Sequence, residues 1–155
     1  MNSLDDLRIG AVKPLICPQT LLEKWPISGV ATALVARSRQ DFIRILSGQD
    51  DRLAVVVGPC SIHSHDQAME YARLLYTEAK RLADDLIVVM RVYFEKPRTT
   101  VGWKGYINDP HLDGSLAIND GLELARRLLL EILQLGLPVG TEFLDLLSPS
   151  FSAIW

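Results

Sequence analysis

Apolar and polar positions alternate in two distinct ways along this chain, and the change comes near residue 50. In residues 1–28, Pro14, Pro18 and Pro26 interrupt any long helical run. A short helix near 20–24 is all that segment allows. Over 30–46, Ala31, Leu34, Val35, Phe42, Ile45 and Leu46 fall mostly on one face at a 3.6-residue period, so a helix is predicted, with Gly48 as its stop. Leu53-Ala54-Val55-Val56-Val57 is different: a short, continuous, largely β-branched run closed by Gly58-Pro59. It predicts a strand buried on both faces. Residues 65–82 carry Ala68, Ala72, Leu75, Ala79 and Leu82 at spacings of four and three, and predict a helix. Residues 86–92 predict a second buried strand, 120–135 a helix ended by Gly136, 138–144 a third strand, and Asp145 onward a loop.

Strands separated by helices call for a parallel sheet with right-handed crossovers. Three such units suit the opening of a (β/α)8 barrel or a small doubly wound domain. A whole barrel needs about 250 residues, so a barrel here would be an unfinished one.

Composition narrows the class. With 155 residues, 48% hydrophobic and 23% charged, the chain reads as globular rather than disordered. Sixteen Lys and Arg against 19 Asp and Glu give a net charge of -3, which is not the electrostatic footprint of a nucleic-acid binder. No apolar run reaches the roughly 18 residues that a membrane helix needs. The N-terminus has early acids and no apolar core of a secretory signal, so a cytoplasmic protein is expected. Cys17 and Cys60 sit in unlike contexts and do not suggest a disulfide framework.

The polar residues of interest gather where strands end, the edge at which parallel α/β folds bind ligands. Gly58-Pro59-Cys60-Ser61 follows the first strand, Arg91 closes the second, and Glu142 lies near the end of the third. The connection 93–115 is far longer than an ordinary βα loop. With Arg91 it supplies Lys96, Arg98 and Lys104, against one nearby acid, Glu95. Such a cation set suits a small polyanion, although a solvated loop with ordinary surface charge reads the same way. Cys60 is open to three readings: a small buried hydrophobe, a metal ligand or a nucleophile. His63 and His65 resemble a metal pair, while Ser64-His65-Asp66 is better read as a helix cap. Phosphate loops, dinucleotide fingerprints, Cys-x-x-Cys pairs and nucleophile elbows are all missing, so nucleotide-dependent and triad chemistries lose support.

Two blocks carry a resemblance. Val57-Gly58-Pro59-Cys60-Ser61-Ile62-His63 is the first, and the long run from Val89-Met90-Arg91 through Glu95-Lys96-Pro97-Arg98-Thr99-Thr100 to Gly102-Trp103-Lys104-Gly105 is the second. Together with Ile107-Asn108-Asp109-Pro110 and Gly140-Thr141-Glu142-Phe143-Leu144-Asp145, they resemble class I 3-deoxy-D-arabino-heptulosonate 7-phosphate (DAHP) synthase. The resemblance runs over nearly the whole chain.

It implies a TIM (β/α)8 barrel, here as an N-terminal extension over 1–50 and an incomplete catalytic barrel over 51–155. It implies a transferase of the shikimate pathway to aromatic amino acids, condensing phosphoenolpyruvate with erythrose 4-phosphate. Cys60 then matches a ligand of an essential divalent metal, with manganese, iron, cobalt and zinc all compatible. Arg91 and Lys96 match phosphoenolpyruvate contacts, with Lys96 beside the reacting centres. Arg98 and Thr99 match the erythrose 4-phosphate phosphate site, and Glu142 an acid near phosphoenolpyruvate and its attacking water. Asp5, Asp6 and Leu7 resemble the family's regulatory segment, which contributes to subunit contacts and to an aromatic amino acid effector site. Pro149 matches another position of that site. A homo-oligomer, with no nucleic-acid or membrane partner, is expected. The chain departs from the family at Ser64-His65, where Asp-Pro is usual, and at Leu146, often proline or methionine. After Phe151 the family continues through further barrel units that carry the other metal ligands, a His, a Glu and an Asp. A fragment without activity of its own is therefore expected, and the alternative is a non-catalytic regulatory or binding remnant.

Overall fold

A computed structural model describes residues 12–96, 101–144 and 148–152 of the protein. Its elements run α1 (Pro18–Lys24), α2 (Gly29–Leu46), β1 (Leu53–Val57), α3 (His65–Arg81), β2 (Leu86–Arg91), α4 (Ile118–Leu135), β3 (Val139–Gly140) and α5 (Ser148–Ser152). The three strands form one parallel sheet in the order β1-β2-β3, as expected from strands joined through helices.

Local sequence explains the boundaries. Ser28 caps α2 by accepting the Ala31 N–H, and Ser64 caps α3 by accepting the Gln67 N–H, so Ser64 and His65 do open a helix. Gly48, just past α2, and Gly136, just past α4, both have positive φ, matching the expected stops. The expected helix at 120–135 begins two residues earlier, at Ile118.

β2 is the buried centre. Ile87, Val88, Val89 and Met90 are all buried, and Met90 shares a core with Ala68, Met69 and Ala72 of α3 and Leu122, Ala125, Leu128, Leu129 and Ile132 of α4. α1 joins through Leu21 and α5 through Phe151. α2 packs separately on α4, through Ala31 and Leu34 against Leu133. Buried Arg126 of α4 donates from Nε to the Trp25 carbonyl, fastening the residues before α2 onto α4.

Three expectations need correction. β1 is not buried on both faces: Leu53 is 66% exposed and Val56 57%. Among the described residues it is an edge strand, paired only with β2, so one side of its ladder has no strand neighbour. The strand expected over 138–144 shrinks to Val139–Gly140, because its ladder with β2 ends at Arg91↔Gly140. The loop expected from Asp145 contains the short helix α5. Among the described residues no helix is long and apolar enough to cross a membrane.

Candidate functional site

The C-terminal ends of the three strands meet around Cys60, Arg91, Lys96 and Glu142. β1 runs out at Gly58-Pro59, and a Cβ on Gly58 would fall on the Arg91 carbonyl oxygen. Only glycine lets the two backbones approach so closely there. The approach sets the β1 exit against the last residue of β2. Arg91 NH1 donates to the Pro59 carbonyl at 3.3 Å, and its guanidinium carbon stands 3.9 Å from the centre of the Tyr93 ring. Arg91 and Tyr93 share a face because residues two apart do so in extended chain.

Lys96 reaches the same place from the far side. Its Nζ donates to Cys60 Sγ at 2.9 Å. That ammonium, with the Arg91 guanidinium behind it, holds the Cys60 thiol below its ordinary range. Cys60 is exposed, which removes the buried-hydrophobe reading, and neither cysteine is in a disulfide. Cys17 is also exposed and merely precedes α1.

The long connection folds back as a hairpin-like clasp. Glu95 bridges Gly105 in antiparallel sense, Lys96 N–H donates to the Lys104 carbonyl at 2.9 Å, and Tyr106 N–H donates to the Phe94 carbonyl. Gly105 sits at φ +115, and a Cβ there would overlap the Phe94 carbonyl oxygen, so the clasp closes only on glycine. Asn108 Nδ2 donates to Glu95 Oε1 at 3.2 Å, and Trp103 Nε1 to the Asp109 carbonyl at 2.8 Å. Phe94, buried with Tyr106, anchors the clasp in the core.

Glu142 closes the group from β3. Its Oε1 accepts the N–H groups of Phe94 at 2.7 Å and Glu95 at 2.6 Å, while Oε2 accepts the Thr141 hydroxyl at 2.8 Å. The two cations, Arg91 and Lys96, stand at one open edge and suit a small anion, while the Glu142 carboxylate is turned to backbone amides and the Thr141 hydroxyl.

The structure therefore brings together Cys60, Arg91, Lys96 and Glu142. Arg98, Thr99, Asp5, Asp6 and Leu7 lie outside the described residues. Pro149 is buried in α5, beside a groove of about 690 Å³ that Phe42, Ile43, Val56 and Phe143 also line. The His63–His65 pair does not form: His63 is exposed, and His65 Nε2 instead meets Glu131 Oε2 on α4 at 2.8 Å. Among the described residues no group of three or more His, Cys, Asp and Glu side chains could hold a metal ion. Cys60 supplies one soft donor, and the described residues do not complete a metal site around it. Tyr93, Asn108 and Thr141 were not singled out from the sequence. The two-residue offset from Arg91 to Tyr93 was the one available signal for the first.

Comparison with known proteins bears on the family and the backbone. Residues 27–154 match the DAHP synthetase I family. The chain is 56% identical over 149 residues to the Phe-sensitive phospho-2-dehydro-3-deoxyheptonate aldolase of Escherichia coli (strain K12), covering 96% of this chain and 43% of that protein. It is 55% identical over 152 residues to the phospho-2-dehydro-3-deoxyheptonate aldolase of Amycolatopsis methanolica, covering 98% of this chain and 75% of that protein. The solved phospho-2-dehydro-3-deoxyheptonate aldolase of Francisella tularensis SCHU S4 superposes with a TM-score of 0.89 at 50% identity, over 92% of this chain and 42% of that one. This chain thus spans less than half the length of the Escherichia coli and Francisella proteins. The family match, the relatives and the backbone agree, and the chain belongs to the DAHP synthetase I family.

Proposed function

We propose that this chain supplies the phosphoenolpyruvate side of a 3-deoxy-7-phosphoheptulonate synthase, which joins phosphoenolpyruvate to erythrose 4-phosphate and releases phosphate. The observation that carries the reading is the convergence of Lys96 and Arg91 on Cys60, at 2.9 Å from Lys96, beside the Glu142 carboxylate. Arg91 offers a planar fork to a carboxylate or phosphate, and Lys96 a compact charge next to it. Together they neutralise a substrate that brings both groups, and they orient its reactive carbons toward the second substrate. Arg98 and Thr99 hold the phosphate of erythrose 4-phosphate in this reading, and Glu142 stands near phosphoenolpyruvate.

In the same reading the sheet is the first part of a (β/α)8 barrel, with residues 1–50 as a regulatory and oligomerisation extension and 51–155 as catalytic barrel. Cys60 is one ligand of a divalent metal whose other ligands the described residues do not include. Asp5, Asp6, Leu7 and Pro149 serve an aromatic amino acid effector and a homo-oligomer contact, in a cytoplasmic enzyme. The 56%-identical relative is named Phe-sensitive, which favours phenylalanine over the tryptophan named for a 50%-identical relative from Salmonella typhi.

The test is phosphate release. Joined to the remaining length of the Escherichia coli relative, the chain should release phosphate from phosphoenolpyruvate only when erythrose 4-phosphate and manganese are both present. Lys96→Ala should abolish it. A folded hybrid that releases no phosphate, or releases it without the sugar phosphate, overturns the reading.

A further inference from the structure

We infer that Glu142 is a positioning residue: its carboxylate takes over where the β2–β3 ladder stops and fixes the backbone that presents Lys96. The inference rests on the phosphoenolpyruvate reading of Lys96 and goes beyond the placement of Glu142 near that substrate.

The ladder between β2 and β3 is only two residues long, Met90↔Val139 and Arg91↔Gly140, and its last backbone bond runs from Val92 N–H to the Gly140 carbonyl at 2.9 Å. Beyond Val92 the chain needs acceptors for the N–H groups of Phe94 and Glu95, and among the described residues no strand supplies them. Glu142 does so from two residues past Gly140. One oxygen, Oε1, accepts both N–H groups, at 2.7 and 2.6 Å. An oxygen receiving two donors is acting as an acceptor and has no proton to give on that side. The other oxygen takes the Thr141 hydroxyl at 2.8 Å, which fixes the rotation of the carboxylate.

The clamped residues immediately precede Lys96. On their other side the 104–106 segment holds them, through Lys96 N–H to the Lys104 carbonyl and Tyr106 N–H to the Phe94 carbonyl. The 94–96 backbone is therefore gripped from both flanks, and Lys96 Nζ is delivered to Cys60 across the β1 exit. Charge-assisted bonds to a carboxylate are the stronger kind, and their donors are backbone groups that cannot rotate away. Glu142 thus acts through Lys96 on the anion.

Three variants of the full chain test this: Glu142→Ala, Glu142→Gln and Glu142→Asp. Amide hydrogen exchange at Phe94 and Glu95 reads the clamp, phosphoenolpyruvate titration reads its consequence, and thermal unfolding monitors global stability. Glu142→Ala should speed exchange at both amides and weaken phosphoenolpyruvate about tenfold or more, as expected for losing a bond to a charged acceptor. Glu142→Gln keeps an oxygen acceptor and should restore most of both. Glu142→Asp, one methylene shorter, should not. A substrate acid predicts the opposite order, with Glu142→Gln as damaging as Glu142→Ala while both amides stay protected, and that result overturns the inference. So does unchanged exchange at the two amides in Glu142→Ala. If Glu142→Ala does not fold, the unsubstituted chain still decides, because both amide protons should resonate well downfield, and ordinary shifts would contradict the clamp. If the chain binds no phosphoenolpyruvate while the amides respond as described, the substrate reading fails and the clamp stands.

Discussion

In the proposed reading the anion site depends on Lys96, whose ammonium ties the long clasp to Cys60 at the β1 exit. Lys96→Ala should weaken phosphoenolpyruvate by roughly 10–100-fold, the effect of losing one charge-assisted contact. Titration calorimetry on the two proteins checks it, and equal affinities would remove Lys96 from the site. Arg98→Ala, in the hybrid enzyme, should raise the apparent KM for erythrose 4-phosphate more than that for phosphoenolpyruvate. Steady-state kinetics with each substrate varied in turn reads this, and equal effects would reassign Arg98. At this scale the sequence was informative where placement alone matters. Arg91 and Glu142 fall at strand ends, and strand ends are where parallel sheets bind ligands. It was uninformative where rotamers matter. Nothing in the order of residues says that Arg91 would lie over Tyr93, that Lys96 would reach Cys60 rather than solvent, or that Glu142 would turn to backbone amides.

The strands and helices show the same division between pattern and context. The helices were legible because their apolar periodicity matches the faces they bury, as Leu122, Ala125, Leu129 and Ile132 do on α4. β1 was misread as buried because composition reports what a strand could cover, not which neighbours arrive to cover it. The glycine that ends β1 carries a sharper test. Gly58→Ala would drive a methyl into the Arg91 carbonyl, and should cost about 1–3 kcal/mol, the usual range for overpacking. Urea unfolding measures that loss, and an unaltered midpoint would show that the β1 exit is looser than described. The turn between α2 and β1 predicts a pH effect. Arg52 donates Nε and NH2 to Asp50, approaches Asp41 of α2, and reaches the Ala83 carbonyl after α3. These bonds hold the Asp50 carboxyl down at about 2, from an ordinary 3.8. A depressed folded-state value means the stabilisation is present above pH 4 and is lost as pH falls toward 2. The melting temperature of Asp50→Asn should therefore lie below that of the native chain at neutral pH and converge with it near pH 2. A constant gap across that range would contradict the linkage.

Taken whole, the molecule has a well-packed side and an open one. α3 and α4 bury β2, whereas Leu53, Val56, Phe143 and Leu144 face outward from the sheet and its strand-end edge. Exposed apolar strands with an unpaired edge favour association with other chains. The 155-residue chain by itself is therefore expected to self-associate as its concentration rises. Sedimentation over a range of concentrations checks this, and a chain that stays monomeric throughout would contradict it. The most direct test of the central claim needs no turnover. Phosphoenolpyruvate is titrated into the isotope-labelled chain and the backbone amides are followed. The account predicts shifts concentrated at Cys60-Ser61, at Arg91 to Lys96 and at Thr141-Glu142. Silence at those amides up to millimolar ligand, or shifts gathered instead around Arg37, Arg52 and Lys80 in the cleft at the opposite end of the sheet, would contradict it.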